Sequence, residues 1–215
     1  MYRLVVFIVF IILLDSCKKP LSSPFQTYIY LSHIRFNNNR NIYAKLYDVD
    51  YSKYNMILLG GDLSKDSFKE QNMLSHLDSI FDLKSPNTLW SVGNHDETSS
   101  KKFYETTGKN KYHAYGRDDV VFITLDSQDS LSSIVGEQKE FLFSVLDTVQ
   151  SSSILIMSHK LIFMNGHPIM DSKISKVCNA NKGDCYYCHN PNNFQEEIYP
   201  KLVELRKKRK QIIWV

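Results

Sequence analysis

Side chains that can bind a metal ion follow several short apolar runs of this chain. An amide, an imidazole and a carboxylate, Asn94, His95 and Asp96, come just after the run "TLWSV". Asp62 follows "MILLGG" and His159 follows "ILIMS". Carboxylate, amide oxygen and imidazole suit Mn, Fe or Zn, and a carboxylate can bridge two ions. A Gly–Asn pair is also typical of an ordinary turn, so the choice between turn and metal site depends on the rest of the chain.

These polar residues lie at the ends of predicted strands. Short apolar runs recur along the chain and are typical of buried strands, at 27–31, 55–59, 88–92, 120–125, 153–157 and 211–215. Apolar residues at helical spacing predict helices between them, around 74–81 and 141–149 and from Pro200 through Leu205. Strands that alternate with helices predict an α/β fold with covered sheet faces. Polar residues at strand ends then line the ligand crevice.

The order and spacing of these motifs resemble the calcineurin-like metallophosphoesterases. "LLGGDLS", "SVGNHDE" about thirty residues later and "ILIMSHK" match the family's G-D, G-N-H-[DE] and later-strand histidine motifs. The likeness covers about residues 26–160, including "FYETTGKNKYHAYGRDDVVFITLDSQ" and the Gln-containing "EQKEFLFSVL". It implies a calcineurin-like phosphoesterase fold of layered β-sheets flanked by helices. We expect this fold to be incomplete at the C-terminus, because the chain stops at Val215 inside a predicted buried strand.

The resemblance implies a role for each matching residue. Asp62 corresponds to the bridging carboxylate, and Asn94 and His159 correspond to ligands of the second metal. His95 corresponds to the residue that stabilises or protonates the leaving oxygen, and Asp96 to a carboxylate that orients His95. The implied activity is hydrolysis of phosphate mono- or diesters through a metal-activated water, with a divalent Mn, Fe or Zn ion as cofactor.

The first family motif, D-x-H, is altered in this chain. In "LSHIRF", His33 stands at the aspartate position and Arg35 at the histidine position. Histidine can ligate, whereas a guanidinium stays protonated and has no lone pair to offer. We therefore expect one tight metal site at Asp62, Asn94 and His159, and a weakened second site at Asp62 and His33. Arg35 either replaces the charge of the missing ion and clamps a phosphate oxygen, or only pairs with Asp62 or another carboxylate.

A second hypothesis follows from the motifs that are altered or missing. The family's final G-H-x-H motif is not found, and His167 in "MNGHPIM" lies too early to replace it. Together with Arg35, this leaves a non-catalytic binding lipoprotein with a degenerate metal site as the alternative to an enzyme. Neither hypothesis identifies the substrate, because specificity in a shared fold lies in its loops.

The N-terminus has the composition of a secretory leader. Arg3 precedes eleven unbroken apolar residues, 4–14, which are too few to span a bilayer and typical of a signal peptide. The following "DSC" resembles the lipobox of bacterial lipoproteins. We predict a signal peptide over 1–16, a lipidated tether over 17–25 that begins at Cys17, and an exported metallophosphoesterase domain over 26–215. An ordinary signal peptide with an incidental Cys17 is the alternative.

Composition and charge limit the number of domains and the partners. The chain has 215 residues, of which 43% are hydrophobic, enough for the core of one domain. Its net charge of +3 is too weak to predict a nucleic-acid partner. The basic run at 206–210 ends an amphipathic segment and predicts a solvated helix face. The predicted partners are a phosphoester and, through a lipid on Cys17, the periplasmic or outer-membrane face of the bacterial cell envelope.

A cysteine-rich insertion at about 165–195 follows the last matching motif. It contains Cys178, Cys185, Cys188 and His189, and three interpretations are open. "CYYCH" has the form of a c-type haem attachment site, which would indicate electron transfer. Three cysteines and a histidine are also a ligand set for structural zinc. An exported loop without a visible core is also typical of a disulfide.

Overall fold

The described strands form two sheets. The computed structural model describes residues 26–35, 41–69, 71–170 and 190–215. The first sheet is parallel, in the order β1-β2-β3, with β1 at Tyr28–Leu31, β2 at Met56–Leu59 and β3 at Thr88–Trp90. The second has the order β4-β5-β6-β7, with β4 at His113–Arg117, β5 at Val120–Thr124, β6 at Ser153–Met157 and β7 at Gln211–Trp214. Only β4 in this second sheet is antiparallel to its neighbour.

The helices connect these strands. They are α1 at Gln71–Phe81, α2 at Ser100–Thr107, α3 at Gly136–Thr148 and α4 at Tyr199–Lys207. Short 3₁₀ turns lie at Ala44–Asp48, Tyr51–Lys53 and Asp129–Ser132, and a π-helical turn at Phe194–Ile198 leads into α4. The Ser99 hydroxyl caps α2 by accepting from the backbone N–H of Lys102, and Gly108 ends α2 with a left-handed φ of 70°. Pro200 lies in the first turn of α4, as predicted.

Neighbouring strand residues point to opposite sides of a sheet, and strands β2, β3, β5 and β6 are largely buried on both sides. On β2, Leu58 packs between the two sheets against Phe122 of β5, whereas Leu59 packs toward α1. The outer face of the first sheet is covered by α1 and α2, and that of the second by α3 and α4. The described chain is therefore layered helix, sheet, sheet, helix, with one apolar core between the sheets and one under each helical layer.

The α/β class, the six predicted strands and the three predicted helices are confirmed. The strands that carry the site residues divide between the two sheets, since β1, β2 and β3 form the first and β6 belongs to the second. The edge strand β4 and the short helix α2 were not predicted. β4 alternates half-buried and exposed residues and contains Gly116, so it lacks an apolar run.

No helix among the described residues is long and apolar enough to cross a membrane. The predicted signal peptide over 1–16, the tether at Cys17, and the cluster of Cys178, Cys185, Cys188 and His189 lie outside the described residues. The predictions for these segments therefore remain predictions.

Candidate metal centre

Three predicted ligands converge beyond the C-terminal ends of strands from both sheets. The ligand atoms of His33, Asp62 and His159 all lie within 4.8 Å of one another. The Asp62 carboxylate is buried, and its two oxygens face different histidines. Nε2 of His159 lies 3.5 Å from Oδ1, and Nε2 of His33 lies 3.6 Å from Oδ2. A carboxylate placed this way can serve as a ligand on either side.

Glycines allow this close approach of loops and ligands. A Cβ atom on Gly61 would lie 2.5 Å from Nδ1 of His159, and one on Gly93 would lie 2.3 Å from Oδ1 of Asp62. Gly61 also has a φ of +91°, which side chains disfavour. His33 and Asp62 themselves take left-handed φ values of 51° and 54°. Such backbone strain costs on the order of 1–3 kcal/mol per residue and is typical of ligand sites.

The hydrogen bonds of His159 determine which ring nitrogen carries its proton. Nδ1 lies 2.8 Å from the carbonyl oxygen of Gly60, and Nδ1 must donate because a carbonyl only accepts. In the neutral ring, the lone pair of Nε2 then faces Oδ1 of Asp62 at 3.5 Å and Oδ1 of Asn94 at 3.3 Å. Three acceptors that face one another repel unless a cation or a proton lies among them. The donor set therefore fits a divalent ion held by His159, Asp62 and Asn94.

His33, like His159, is oriented by a hydrogen bond at Nδ1. The Ser32 hydroxyl donates to the carbonyl of Gly60 at 3.1 Å and accepts from Nδ1 of His33 at 3.0 Å. Nε2 of the neutral His33 ring thus presents its lone pair to Asp62. Although the His33 side chain is 48% exposed, partial burial and then the neighbouring His159 lower the pKa of His33. The lowered pKa favours the neutral form of the ring, which is the form that binds metals.

His33 and His159 belong to one group of candidate metal ligands. Their rings stack with centroids 4.9 Å apart. The family resemblance assigned His33 and His159 to different ions, whereas the structure places both within reach of a single ion at Asp62. All four predicted ligands, His33, Asp62, Asn94 and His159, are thus brought together.

Arg35 occupies the remaining position next to Asp62. Its Nη2 lies 3.5 Å from Oδ2 of Asp62, and its side chain is only 17% exposed. Its Nη1 is buried and has no hydrogen-bond partner among the described residues. Two unit charges about 4 Å apart interact by about 4 kcal/mol at an effective dielectric of 20, so the guanidinium disfavours a second cation at Oδ2. The pairing with Asp62 was one of the two alternatives for Arg35, and it is observed; among the described residues, Nη1 is left as a donor for an anion.

The prediction that Asp96 orients His95 is wrong. The fully buried Asp96 carboxylate instead accepts five hydrogen bonds, from the backbone N–H groups of Asp62, Leu63 and Gly93, the Ser67 hydroxyl and the Trp90 indole. The shortest backbone bond, from Asp62, is 2.6 Å long. Burial raises the pKa of Asp96, although the hydrogen bond from Ser67 acts in the opposite direction. Asp96 is therefore a positioning residue, which holds the loops that carry Asp62 and Asn94.

His95 is oriented by a backbone carbonyl. Its Nδ1 lies 2.9 Å from the carbonyl oxygen of Lys65, so Nδ1 carries a proton. Its backbone N–H donates to Oδ1 of Asp62 at 3.0 Å. The half-buried ring is thereby fixed next to the metal ligands, with Nε2 able to exchange a proton with a bound molecule.

No protein-family model and no curated protein matches this chain. Membership of the family that the motifs resemble therefore stays a prediction.

Sequence reasoning assigned no role to Ser32, Ser67 and Trp90. Ser67 and Trp90 bind Asp96, and Ser32 sets the tautomer of His33. Nothing in the local pattern marks Ser67 or Trp90, because their contacts depend on the loop conformation. A further residue, Asp126, directly follows "VVFITL". The strand-end rule that found Asp62 also applies to Asp126, whose Oδ2 pairs with Nζ of Lys111 at 3.4 Å.

Proposed function

We propose that this chain is a metal-dependent phosphoesterase with a calcineurin-like fold, which hydrolyses phosphate mono- or diesters. The observation that carries the proposal is the convergence of His33, Asp62 and His159 within 4.8 Å, with lone pairs facing one another and Asn94 beside them. Mixed nitrogen and oxygen ligands suit a divalent Mn, Fe or Zn ion. The two layered sheets and the motif order support the family assignment.

Each residue of the site has a distinct task in this proposal. Asp62, Asn94, His159 and His33 would hold the ion, which when bound would polarise a phosphoryl oxygen and lower the pKa of a water. Nη1 of Arg35, which has no hydrogen-bond partner among the described residues, would donate to a phosphate oxygen, and the low exposure of Arg35 would strengthen this charge-assisted bond.

The leaving oxygen needs a proton, and His95 is placed to supply it. Because Nδ1 of His95 donates to the Lys65 carbonyl, the protonated ring offers its second N–H at Nε2. Transfer of that proton to the departing alkoxide leaves the neutral ring in a tautomer that the Lys65 carbonyl stabilises. The ring therefore needs no movement between its acid and base forms.

The function is tested with the chain that lacks the predicted signal peptide over 1–16. We expect this protein to hydrolyse p-nitrophenyl phosphate or its bis-ester with added Mn or Zn, and to lose the activity in EDTA. Asp62→Asn should lower kcat by at least about 100-fold, because it weakens the central ligand. The matched control is Asp147→Asn, at an exposed carboxylate paired with Lys201. Activity that survives both EDTA and Asp62→Asn would overturn the proposal.

The second candidate is a non-catalytic binding lipoprotein. The contact between Arg35 and Asp62 favours it, because that ion pair satisfies the carboxylate partly without metal. This candidate predicts metal or phosphate binding by calorimetry without turnover of either ester. Turnover that requires Asp62 would exclude it.

We also propose export and lipid anchoring at Cys17, on the leader sequence alone. Mass spectrometry of the mature N-terminus distinguishes a lipidated Cys17 from an ordinary signal-peptide cleavage. Cys17→Ser should release the protein from the membrane fraction.

A further inference from the structure

Five consecutive basic residues, 206–210, lie where helix α4 ends and strand β7 begins. We call this run the basic edge. The net charge of the whole chain is only +3, so the five cations of the basic edge exceed it and the remainder of the chain is slightly negative. Charge of one sign that is concentrated on one surface attracts a partner of the opposite sign.

Three side chains of the basic edge keep their charge for a partner. Arg206, Lys207 and Arg209 are exposed and form no ion pair among the described residues. The carboxylate of Glu204, one turn before the basic edge, is already paired with Lys208 at 2.6 Å. These three cations are therefore available to an anion outside the chain.

The cations converge on a shallow depression. Its volume is about 480 Å³, and it is lined by Arg206, Arg209, Lys210, Gln211, Ile212 and Ile213. One carboxylate, Asp119, lies close enough to Lys210 to interact with its charge, and it also accepts from the backbone N–H of Ser152 at 2.9 Å. Because the lining cations outnumber this carboxylate, the depression suits an anionic group such as the phosphate of a lipid headgroup.

The backbone at Arg209 indicates that its side chain has a role outside the helix. Arg209 has a left-handed φ of 63°. Its N–H donates to the carbonyl of Arg206 at 2.9 Å, and the N–H of Lys210 donates to the carbonyl of Leu205 at 3.1 Å, which is the Schellman arrangement of a helix end. Glycine is the usual residue at this position, because a Cβ atom strains the left-handed backbone. The chain thus has an arginine where backbone stability alone favours glycine.

The basic edge and the candidate metal centre lie at opposite ends of the strands. β7 begins directly after the basic edge, and its first residue, Gln211, pairs with Ser153 at the start of β6. At this end of the second sheet, Nη1 of Arg117 donates to the carbonyl of Asn55, directly before β2, at 3.1 Å. The N-terminal ends of β2, β6 and β7 therefore share one side of the domain. The metal centre lies beyond the C-terminal ends of β2 and β6.

The predicted lipid tether leaves the domain on the side of the basic edge. β1 begins at Tyr28, three residues after the predicted tether over 17–25. Tyr28 packs against Phe122 of β5 with centroids 5.2 Å apart, and β7 lies two strands from β5, about 10 Å away. Nine residues span at most about 30 Å, so a lipid on Cys17 would hold this side of the domain near the membrane.

We propose that the basic edge binds the anionic headgroups of a membrane and orients the domain with the candidate metal centre facing away from the bilayer. That the anionic partner is a membrane rests on the proposed lipid anchoring at Cys17. In this arrangement the lipid attaches the protein, and the cations select the face that meets the headgroups. The metal centre then opens toward soluble phosphoesters.

Headgroup binding is tested with the unlipidated chain over 17–215. It is sedimented with vesicles of mixed phosphatidylglycerol and phosphatidylcholine, and with vesicles of phosphatidylcholine alone. We expect binding to the anionic vesicles only, with loss at high salt. Arg206→Gln, Lys207→Gln and Arg209→Gly together should lower the partition coefficient at least about tenfold.

The matched control removes the same charge elsewhere, as Lys45→Gln, Lys69→Gln and Lys101→Gln, at exposed lysines outside the basic edge. Its partition coefficient should stay within about twofold of that of the unmutated chain. Equal losses in the two triple variants, or tighter binding of RNA than of the anionic vesicles, would overturn the proposal.

Arg209→Gly alone distinguishes binding from folding. This variant should keep or raise the Tm, because glycine fits the left-handed position. It should still weaken vesicle binding about fivefold, the effect of one cation near an anionic surface. Unchanged vesicle binding in Arg209→Gly would contradict the proposal.

Orientation is measured by NMR on nanodiscs that contain phosphatidylglycerol and a gadolinium-chelating lipid. In the ¹⁵N-labelled chain without Mn, the backbone amide signals of Lys207 and Gln211 should broaden, and those of Asn94 and His95 should stay sharp. The reverse pattern would overturn the proposal. Mass spectrometry then separates it from the proposed anchor: vesicle binding through the basic edge without a lipid on Cys17 contradicts the anchor alone, and a lipidated Cys17 without such binding contradicts the basic edge alone.

Discussion

At the scale of single residues, the groups that face each oxygen of Asp62 determine what the candidate metal centre can bind. Asp62 directs one oxygen to His159 and the other to both His33 and Arg35. Oδ1 faces His159, and the two can share a cation. Oδ2 already lies next to the guanidinium of Arg35. In the proposed centre, this asymmetry, and not the number of candidate ligands, would limit the metal content.

We expect about one tightly bound divalent ion per chain by metal analysis of the dialysed protein. If the missing C-terminal motif is restored, His33→Asp together with Arg35→His should raise the stoichiometry toward two, because a positive charge is removed and a carboxylate is added at Oδ2 of Asp62. Two equally tight ions in the unmutated protein would contradict the placement of Arg35 against Asp62.

Asp96→Asn tests whether Asp96 acts on stability or on His95. The amide keeps one acceptor oxygen and turns an NH₂ group toward backbone N–H donors, so we expect a loss of about 3 kcal/mol in the free energy of unfolding. Ser67→Ala, which removes one of the five hydrogen bonds, should cost about 1 kcal/mol. Urea unfolding measures both. Unchanged stability with a lost activity would restore the role in orienting His95.

The ligands could be predicted from sequence because the rule that finds them is local. His33, Asp62, Asn94 and His159 each follow an apolar run, and strand ends converge in α/β folds. The role of Asp96 could not be predicted in this way, because its partner Ser67 lies 29 residues away on another loop.

At the scale of elements, strand β4 is the most unusual part of the second sheet. Among the described strands it pairs with β5 alone, and it carries His113, whose Nδ1 donates to the carbonyl of Asn110 at 2.8 Å. Nε2 of His113 is buried without a hydrogen-bond partner in the described chain. Burial lowers the pKa of His113 from 6.5 to about 4, so the folded state holds this ring neutral.

This burial predicts a loss of stability in mild acid. Between pH 6.5 and 4 the unfolded chain binds a proton at His113 that the folded chain does not, so stability falls as the pH is lowered through this window. We expect His113 to contribute a loss of about 2 kcal/mol between pH 7 and 5. His113→Asn retains a donor for the Asn110 carbonyl and cannot titrate. Between pH 7 and 5, the free energy of unfolding of this variant should therefore fall by about 2 kcal/mol less than that of the unmutated protein. Equal losses in both proteins would contradict the prediction.

The elements that sequence reasoning missed have weak local signals. β4 contains Arg117 and Gly116 in only five residues, and helix α2 is eight residues long and largely polar. Both form because the neighbouring structure supports them: β5 provides a partner for β4, and Phe103 of α2 inserts into the core beside Trp90. Such tertiary support is not visible in a local window.

At the scale of the whole molecule, two sheets share one core. Leu58 and Leu89 of the first sheet meet Phe122 and Leu155 of the second, and the Ser91 hydroxyl donates to the Leu125 carbonyl at 2.9 Å across this boundary. The alternation of strands and helices predicted the layers but not the division into two sheets, because burial on both faces gives the same apolar run in either arrangement.

The candidate metal centre crosses the boundary between these sheets. Asp62 and Asn94 follow strands of the first sheet, and His159 follows a strand of the second. A bound ion would therefore act as a cross-link between the two halves of the core, and would oppose their separation on heating. At a free Mn or Zn concentration of 100 times Kd, the stabilisation should be about 2.7 kcal/mol. Calorimetric melting with and without the ion measures it, and His159→Ala should abolish most of the increase in Tm while leaving the ligands of the first sheet in place.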